Sequence, residues 1–156
     1  MTKPLNVHGT GLVLGETGVL LRGPSGSGKS VLALALLDRW EMRNQPAFLV
    51  ADDRVDLAET GRELTMQAPP QLAGLIELRG RGIISRPHRN LVPLHLVIDL
   101  IPDFVRLIEE DELTTELMGH TLPRAPVPRS GVIALGHQVL LVAEAVAALG
   151  SGQTER

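Results

Sequence analysis

One short segment of the sequence, residues 23–30, carries residue types at a spacing that could bind the phosphates of a nucleotide. It reads G-P-S-G-S-G-K-S and matches the pattern G-x-x-x-x-G-K-S in full. The glycines let backbone N–H groups turn inward around phosphate oxygens, the lysine reaches the β- and γ-phosphates, and the last serine hydroxyl ligates Mg²⁺. We therefore predict a nucleoside di- or triphosphate site with these binding residues: Gly23, Pro24, Ser25, Gly26, Ser27, Gly28, Lys29 and Ser30.

Two adjacent carboxylates, Asp52 and Asp53, follow the apolar run A-F-L-V-A at 47–51. A carboxylate at the end of such a strand commonly assists Mg²⁺ beside a phosphate loop. A pair allows one carboxylate to serve the metal while the other accepts a proton from an incoming hydroxyl. The alternative is structural, with one aspartate capping the next turn and the other pairing with Arg54. The sequence leaves open which aspartate takes which role.

The segment at 23–30 is flanked by elements that can hold it in place. The apolar run at 19–21 predicts a buried strand before it, and the stretch rich in Ala and Leu at 31–40 predicts a helix after it. The other predicted elements are strands at 7–14, 47–51 and 94–100, a hairpin at 55–66, short or closing helices at 71–74 and 134–149, and loops at 85–93 and 122–131. This order of strands and helices predicts an α/β fold.

Length and composition favour a single domain. The chain has 156 residues, of which 44% are hydrophobic and 21% are charged, which is enough apolar material for a core. We expect one domain over 1–150 and a tail over 151–156. The chain has no cysteine, which excludes disulfides and thiolate-ligated metals. No apolar run is long enough to span a membrane and no secretory signal pattern is present, so we expect a cytoplasmic protein.

Charge and motif content exclude several classes of function. A net charge of −3, with only two Phe, one Trp and no Tyr, argues against nucleic acid as a partner. The N-K-x-D motif of GTPases and the serine–glycine–glycine signature of transport ATPases are missing from the sequence. A small-molecule kinase remains an alternative, because four arginines could form a lid over the phosphates: Arg79, Arg81, Arg86 and Arg89.

Several further motifs occur in a fixed order along about 60% of the chain. They are H-G at 8–9, the phosphate loop at 23–30, A-D-D-R-V at 51–55, A-P-P at 68–70 and E-L-R-G-R-G-I-I at 77–84. In this combination the chain resembles the catalytic domain of HPr kinase/phosphorylase. The phosphate loop is shared by many families, whereas the blocks at 51–55 and 77–84 are specific to this one.

The resemblance implies a phosphate-loop kinase domain related to the nucleotide-binding core of phosphoenolpyruvate carboxykinase. It implies an ATP- and Mg²⁺-dependent enzyme that phosphorylates a serine of HPr, the phosphocarrier of the sugar phosphotransferase system, or of its nitrogen-branch relative. It also implies a homo-oligomer, hexameric in the family, and in many members the reverse phosphorolysis of phosphoserine. Because only the catalytic domain is matched, we expect a short form without the family's N-terminal domain.

The resemblance also implies roles for single residues, carried over position by position. Lys29 contacts phosphates, the aspartate pair supplies the base, and His8 lies near the transferred phosphate. The candidates are, for catalysis, Asp52, Asp53, Lys29, His8 and Arg106; for the metal, Ser30 and Glu77; and for a functional loop, Arg79, Gly80 and Gly82.

The stretch A-P-V-P-R-S-G at 125–131 departs from the family motif that is linked to dephosphorylation and to the partner contact. The reverse reaction and the identity of the phosphocarrier therefore stay open at this point. Two rival functions also stay open: a small-molecule kinase, and a non-catalytic ATP-responsive regulatory module. The aspartate pair argues against the second rival, because a sensor needs no base.

Overall fold

The computed structural model describes residues 3–104 and 106–154. In this part of the chain the strands are β1 Leu5–Leu14, β2 Thr17–Arg22, β3 Ala47–Ala51, β4 Arg54–Thr60, β5 Glu63–Gln67, β6 Leu75–Leu78, β7 Gly82–Ser85, β8 Val92–Pro93, β9 Leu96–Ile101, β10 Thr114–Leu117 and β11 His120–Pro128. The α-helices there are α1 Lys29–Met42 and α2 Leu135–Thr154, with 3₁₀ turns at Pro70–Leu72 and Glu110–Leu113. None of the described helices is long and apolar enough to cross a membrane.

The main sheet brings the phosphate loop and the aspartate pair to the same edge. Its strand order is β10-β11-β9-β2-β1-β4-β5-β8, and β3 also pairs with β1. Strands β2, β9 and β11 are parallel neighbours. Both β2 and β3 run antiparallel to β1. Their carboxyl ends therefore point the same way, so that Gly23 and Asp52 start from the same edge of the sheet.

Apolar side chains pack on both faces of this sheet, as the alternation of side chains along a strand requires. Leu12, Leu21 and Ile98 face α1 and α2 and form one fully buried cluster with residues of both helices. The residues next to them, such as Val13 and Leu20, face the opposite way and pack in a second cluster with β4 and β5. The result is the mixed α/β fold that the sequence predicts.

Most predicted elements lie where the sequence places them. The predicted strands at 19–21, 47–51 and 94–100 correspond to β2, β3 and β9, and the predicted hairpin at 55–66 is β4–β5. The predicted helix at 31–40 is α1. Helix α2, however, continues to residue 154 rather than ending at 149, so the predicted tail begins inside a helix. Residues 155 and 156 of that tail lie outside the described part of the chain.

The predicted loop at 122–131 is wrong, because β11 occupies most of it. Residues 124–128 of β11 pair in parallel with β9. Just beyond them, Arg129 donates its backbone N–H to the carbonyl of Ile101 at 2.8 Å, so odd-numbered residues direct their nitrogens toward β9. Pro126 and Pro128 are even-numbered, and their nitrogens face the opposite edge, where no N–H is required. Prolines therefore interrupt no hydrogen bond of this ladder.

An ionic cluster joins three parallel strands beside the phosphate loop. Asp99 of β9 accepts hydrogen bonds from Arg22 at 2.7 and 2.8 Å and from Arg124 of β11. Burial alone would raise the pKa of Asp99, but the hydrogen bonds and charges of both arginines outweigh it and hold that pKa below its usual value. Arg22 is the last residue of β2 and directly precedes the phosphate loop, so the cluster fixes the point where the loop leaves the sheet.

Replacing Asp99 with Asn should lower the free energy of unfolding at pH 7 by about 2 kcal/mol, since two half-buried guanidinium groups lose their anionic partner. A depressed carboxyl pKa stabilises the fold above the unfolded value of about 4 and ceases to do so as pH falls through the folded value. The difference between D99N and the wild type in urea unfolding should therefore shrink between pH 5 and pH 3. Asp103→Asn, at an exposed position two residues beyond β9, is the control. A difference that is as large at pH 3 as at pH 7 would contradict this account.

Candidate active site

The phosphate loop adopts a backbone that requires glycine at two positions. Gly26 and Gly28 have φ values of 84° and 92°, in the left-handed region. Gly28 is also the N-cap of α1, and a Cβ there would lie 2.8 Å from Cβ of Ser130. A Cβ on Gly26 would meet no atom within 4 Å. Gly26 is therefore required only by the backbone conformation, whereas Gly28 is required both by the conformation and by close packing against Ser130.

Lys29 is the first residue of α1 and is folded back onto the loop. Its Nζ donates to the carbonyls of Gly23 and Pro24 at 2.7 and 3.0 Å, and only 8% of the residue is exposed. Burial lowers the pKa of Lys29, while the charges of Asp53 and Asp52 act in the opposite direction. The loop carbonyls therefore hold a cation next to the position that an anion would take.

Asp52 is held by three hydrogen bonds from three different elements. Its Oδ1 accepts from the hydroxyls of Thr10 at 3.0 Å and Ser30 at 2.9 Å. Its Oδ2 accepts from the backbone N–H of Glu77 at 3.2 Å. These donors belong to β1, α1 and β6, and the carboxylate connects all three.

Asp53 lies in a different environment from its neighbour. Its side chain is 68% exposed, and Oδ1 lies 2.9 Å from Nε2 of His8. Its φ of 69° turns the chain between β3 and β4, and its carbonyl accepts the N–H of Gly9 at 3.1 Å. One oxygen of this carboxylate is held by the imidazole, while the side chain as a whole is open to solvent.

These groups surround one cleft of about 510 Å³. Its walls comprise His8, Ser25, Gly26, Gly28, Lys29, Ser30, Val31, Asp52, Asp53, Leu72, Leu75, Ile76, Glu77, Arg79, Ile83 and Ser130. The predicted residues Glu77 and Arg79 reach it from β6 and from the turn that follows. Gly80 and Gly82 do not line it; with φ values of 92° and 114°, they shape the turn between β6 and β7.

Arg106 is the one predicted catalytic residue that the structure does not bring into this cleft. It lines a separate pocket of about 180 Å³, among Ile101, Phe104, Ile108, Pro126, Pro128, His137 and Leu141. Val105, which precedes it, lies outside the described residues. The assignment of Arg106 to catalysis therefore stays a prediction.

The sequence matches the family described as HPr Serine kinase C-terminal domain over residues 1–149. The chain belongs to this family. It is 32% identical over 151 residues to the HPr kinase/phosphorylase of Burkholderia cenocepacia strain HI2424, and equally to that of Paraburkholderia phymatum. In each case the match covers 89% of this chain and 44% of the relative, so the chain spans less than half the length of these curated relatives.

A solved structure extends the similarity to three dimensions. The Hpr(Ser) kinase/phosphatase from Coxiella burnetii matches with a TM-score of 0.77 and 27% sequence identity, over 97% of this chain and 96% of that one. Its agreement over nearly the full length supports the fold of the HPr kinase catalytic domain for the whole described chain.

Two polar residues of this HPr kinase domain were missed by the sequence analysis. Thr10 reaches Asp52 from β1, across 42 residues of sequence, and no local motif signals this contact. Ser130 lines the cleft, and its N–H donates to the carbonyl of Ser27 at 3.2 Å. Its position at the end of the 125–131 stretch, which differs from the family motif, was the available signal.

The donor set of the cleft fits Mg²⁺. A serine hydroxyl, Asp52 and Glu77 offer the oxygen ligands that this cation prefers. Among the described residues there is no ready-made cluster of three or more His, Asp or Glu side chains for a metal. In general Mg²⁺ takes one or two carboxylates and completes its shell with phosphates and water.

The different packing of the two loop glycines gives a matched pair of variants. We expect Gly28→Ala to destabilise the domain by more than Gly26→Ala, for which left-handed strain alone costs about 1–2 kcal/mol. Since a Cβ at position 28 would also press against Ser130, the Gly28 variant should unfold at the lower temperature. Thermal unfolding of the two variants measures the difference. Equal losses in both variants would show that packing against Ser130 has no influence.

Proposed function

We propose that this chain is an ATP- and Mg²⁺-dependent kinase that phosphorylates a serine of an HPr-type phosphocarrier protein. The observation that carries the proposal is the different environments of the Asp52 and Asp53 carboxylates beside a phosphate loop. The Asp52 carboxylate accepts three hydrogen bonds that fix its orientation, while the Asp53 carboxylate is open and paired with His8. Membership of the HPr serine kinase family supplies the class of acceptor.

In this proposal the metal side of the cleft consists of Ser30, Asp52 and Glu77. Mg²⁺, when bound there, neutralises charge on the phosphates of ATP. Lys29 exchanges the carbonyls of Gly23 and Pro24 for phosphate oxygens. The backbone N–H groups at the start of α1 add further donors for the same anion.

Asp53 is the proposed base. His8 holds its Oδ1, which leaves Oδ2 to accept the proton of the serine hydroxyl. As that proton moves to Asp53, the serine oxygen forms a bond to the γ-phosphorus, and the bond from phosphorus to the oxygen bridging to the β-phosphate breaks. The products are phosphoserine and ADP.

The mouth of the cleft favours a protein acceptor over a metabolite. Val31, Leu72, Leu75 and Ile83 line it and are 42%, 39%, 36% and 70% exposed. Exposed apolar residues beside a polar site are typical of surfaces that bind other proteins. A small polar metabolite would gain little from them. This argues against the small-molecule kinase that the sequence left open.

The reverse reaction, attack of inorganic phosphate on phosphoserine, is a second activity that we propose for the same cleft. The family resemblance implies it, but the 125–131 stretch, whose Ser130 contacts the phosphate loop, departs from the family motif that is linked to dephosphorylation. Asp53 would return the proton to the serine oxygen. A cytoplasmic homo-oligomer, hexameric by the same resemblance, completes the proposal.

The decisive assay combines the protein with Mg²⁺, γ-labelled ATP and the purified HPr-type phosphocarriers of its host. We expect acid-stable phosphoserine on one carrier, and a decrease of about 100-fold or more in kcat for Asp53→Asn, since the general base is lost. Asp56→Asn is the control, because Asp56 lies on β4, accepts a hydrogen bond from Asn6 of β1 and does not line the cleft. Unchanged labelling by D53N, or ATP binding without transfer to any carrier, would contradict the proposal.

The apolar mouth gives a second prediction. Ile83→Asp should raise KM for the phosphocarrier about tenfold, since about 1–2 kcal/mol of apolar contact is removed from the interface. KM for MgATP should not change. Met42→Asp, at an equally exposed apolar position at the far end of α1, should leave both values unaltered. If the two variants behave alike, the mouth of the cleft is not where the acceptor docks.

A further inference from the structure

The hydroxyl of Thr10 is buried and, among the described residues, hydrogen-bonds to one side chain, that of Asp52. Thr10 lies in the interior of β1 and is 0% exposed. Its Oγ1 donates to Oδ1 of Asp52 at 3.0 Å. Valine has almost the same shape and could be buried here without the cost of desolvating a hydroxyl, about 1–3 kcal/mol when no partner compensates. The hydroxyl is therefore explained by the carboxylate that it contacts.

Hydrogen-bond directions around Asp52 determine how Ser30 is presented to the cleft. An ionised carboxylate only accepts, so Thr10 and Ser30 must both point their protons at Oδ1. With its proton committed to Asp52, the Ser30 oxygen turns its lone pairs away from Asp52. Those lone pairs are the atoms with which a hydroxyl ligates a cation.

Thr10 supports this arrangement from the side of the sheet. Asp52 follows β3 and is not itself part of a strand, so its side chain depends on its three donors for orientation. The donor at Oδ2 is the N–H of Glu77, which belongs to the β6–β7 hairpin outside the main sheet. Thr10 is the only one of the three that belongs to the main sheet, where its strand is paired with β2.

We propose that Thr10 is a positioning residue for the divalent cation that accompanies the nucleotide. It acts through Asp52, which fixes the orientation of the Ser30 hydroxyl, and does not touch substrate or metal itself. The inference rests on the proposed function, because it concerns the metal side of the same cleft.

Thr10→Val removes the hydroxyl and preserves the shape of the side chain. Isothermal titration with ATP at graded Mg²⁺ concentrations should show a rise of about tenfold or more in the Mg²⁺ concentration that gives half-maximal enhancement of binding, as is usual when the partner of a metal ligand is lost. Nucleotide affinity without metal should be unchanged. Thr10→Ser should restore the wild-type dependence to within about threefold. Binding of Mn²⁺ to the nucleotide complex, followed by electron paramagnetic resonance, is a readout that requires no catalysis.

Thr65→Val is the matched control. Thr65 is also a buried threonine on a strand, 6% exposed, but it donates to the carbonyl of Ala58 at 3.3 Å and lies outside the cleft. The Thr65→Val variant should have a lower melting temperature than the wild type, but the same Mg²⁺ dependence of nucleotide binding. If T10V does not fold, Thr10→Ala offers a second variant without the hydroxyl.

The outcomes separate the inference from the proposed function. Wild-type Mg²⁺ dependence in a folded variant without the hydroxyl, or an equal loss of affinity with and without metal, would overturn the role of Thr10 while leaving the kinase intact. A wild-type protein whose nucleotide binding does not respond to Mg²⁺ would overturn both.

Discussion

One carboxylate, that of Asp52, connects segments that are far apart in the sequence. It accepts hydrogen bonds from Thr10 on β1, from Ser30 at the start of α1 and from the N–H of Glu77 on β6. All three are satisfied together in one orientation of the carboxylate. The positions of the phosphate loop, of β1 and of the β6–β7 hairpin are therefore coupled through a single side chain.

The sheet makes this coupling possible. β1 has β2 on one side and β3 on the other, and runs antiparallel to both, so the phosphate loop and Asp52 leave the sheet at the same edge. On the β2 side, Asp99 binds Arg22 just before the loop begins. The two segments that enter the cleft, the phosphate loop and Asp52, therefore directly follow the strands β2 and β3.

Local requirements were readable from the sequence, and long-range ones were not. The phosphate loop requires glycine and lysine at fixed spacing, and the short apolar runs before it and before Asp52 predict buried strands. Nothing in the local sequence distinguishes Thr10 from other strand residues, because its contact with Asp52 arises only when β3 pairs with β1. The prolines of β11 predict a loop until pairing with β9 shows that their nitrogens face away. The resemblance makes Arg106 a candidate for a catalytic arginine, yet Arg106 lines another pocket, because local sequence does not specify the path of the chain after β9.

The position of Lys29 has a consequence for which anions the loop can hold. Two of the three N–H groups of its ammonium already donate to the carbonyls of Gly23 and Pro24, which leaves one for an incoming anion unless a carbonyl is displaced. Each bond that is exchanged contributes only the difference between the old and the new partner. Charged oxygens accept stronger hydrogen bonds from an ammonium than neutral carbonyls do, so a polyphosphate gains from each exchange. The folded-back lysine thus makes the affinity of an anion depend on how many charged oxygens it brings to one point.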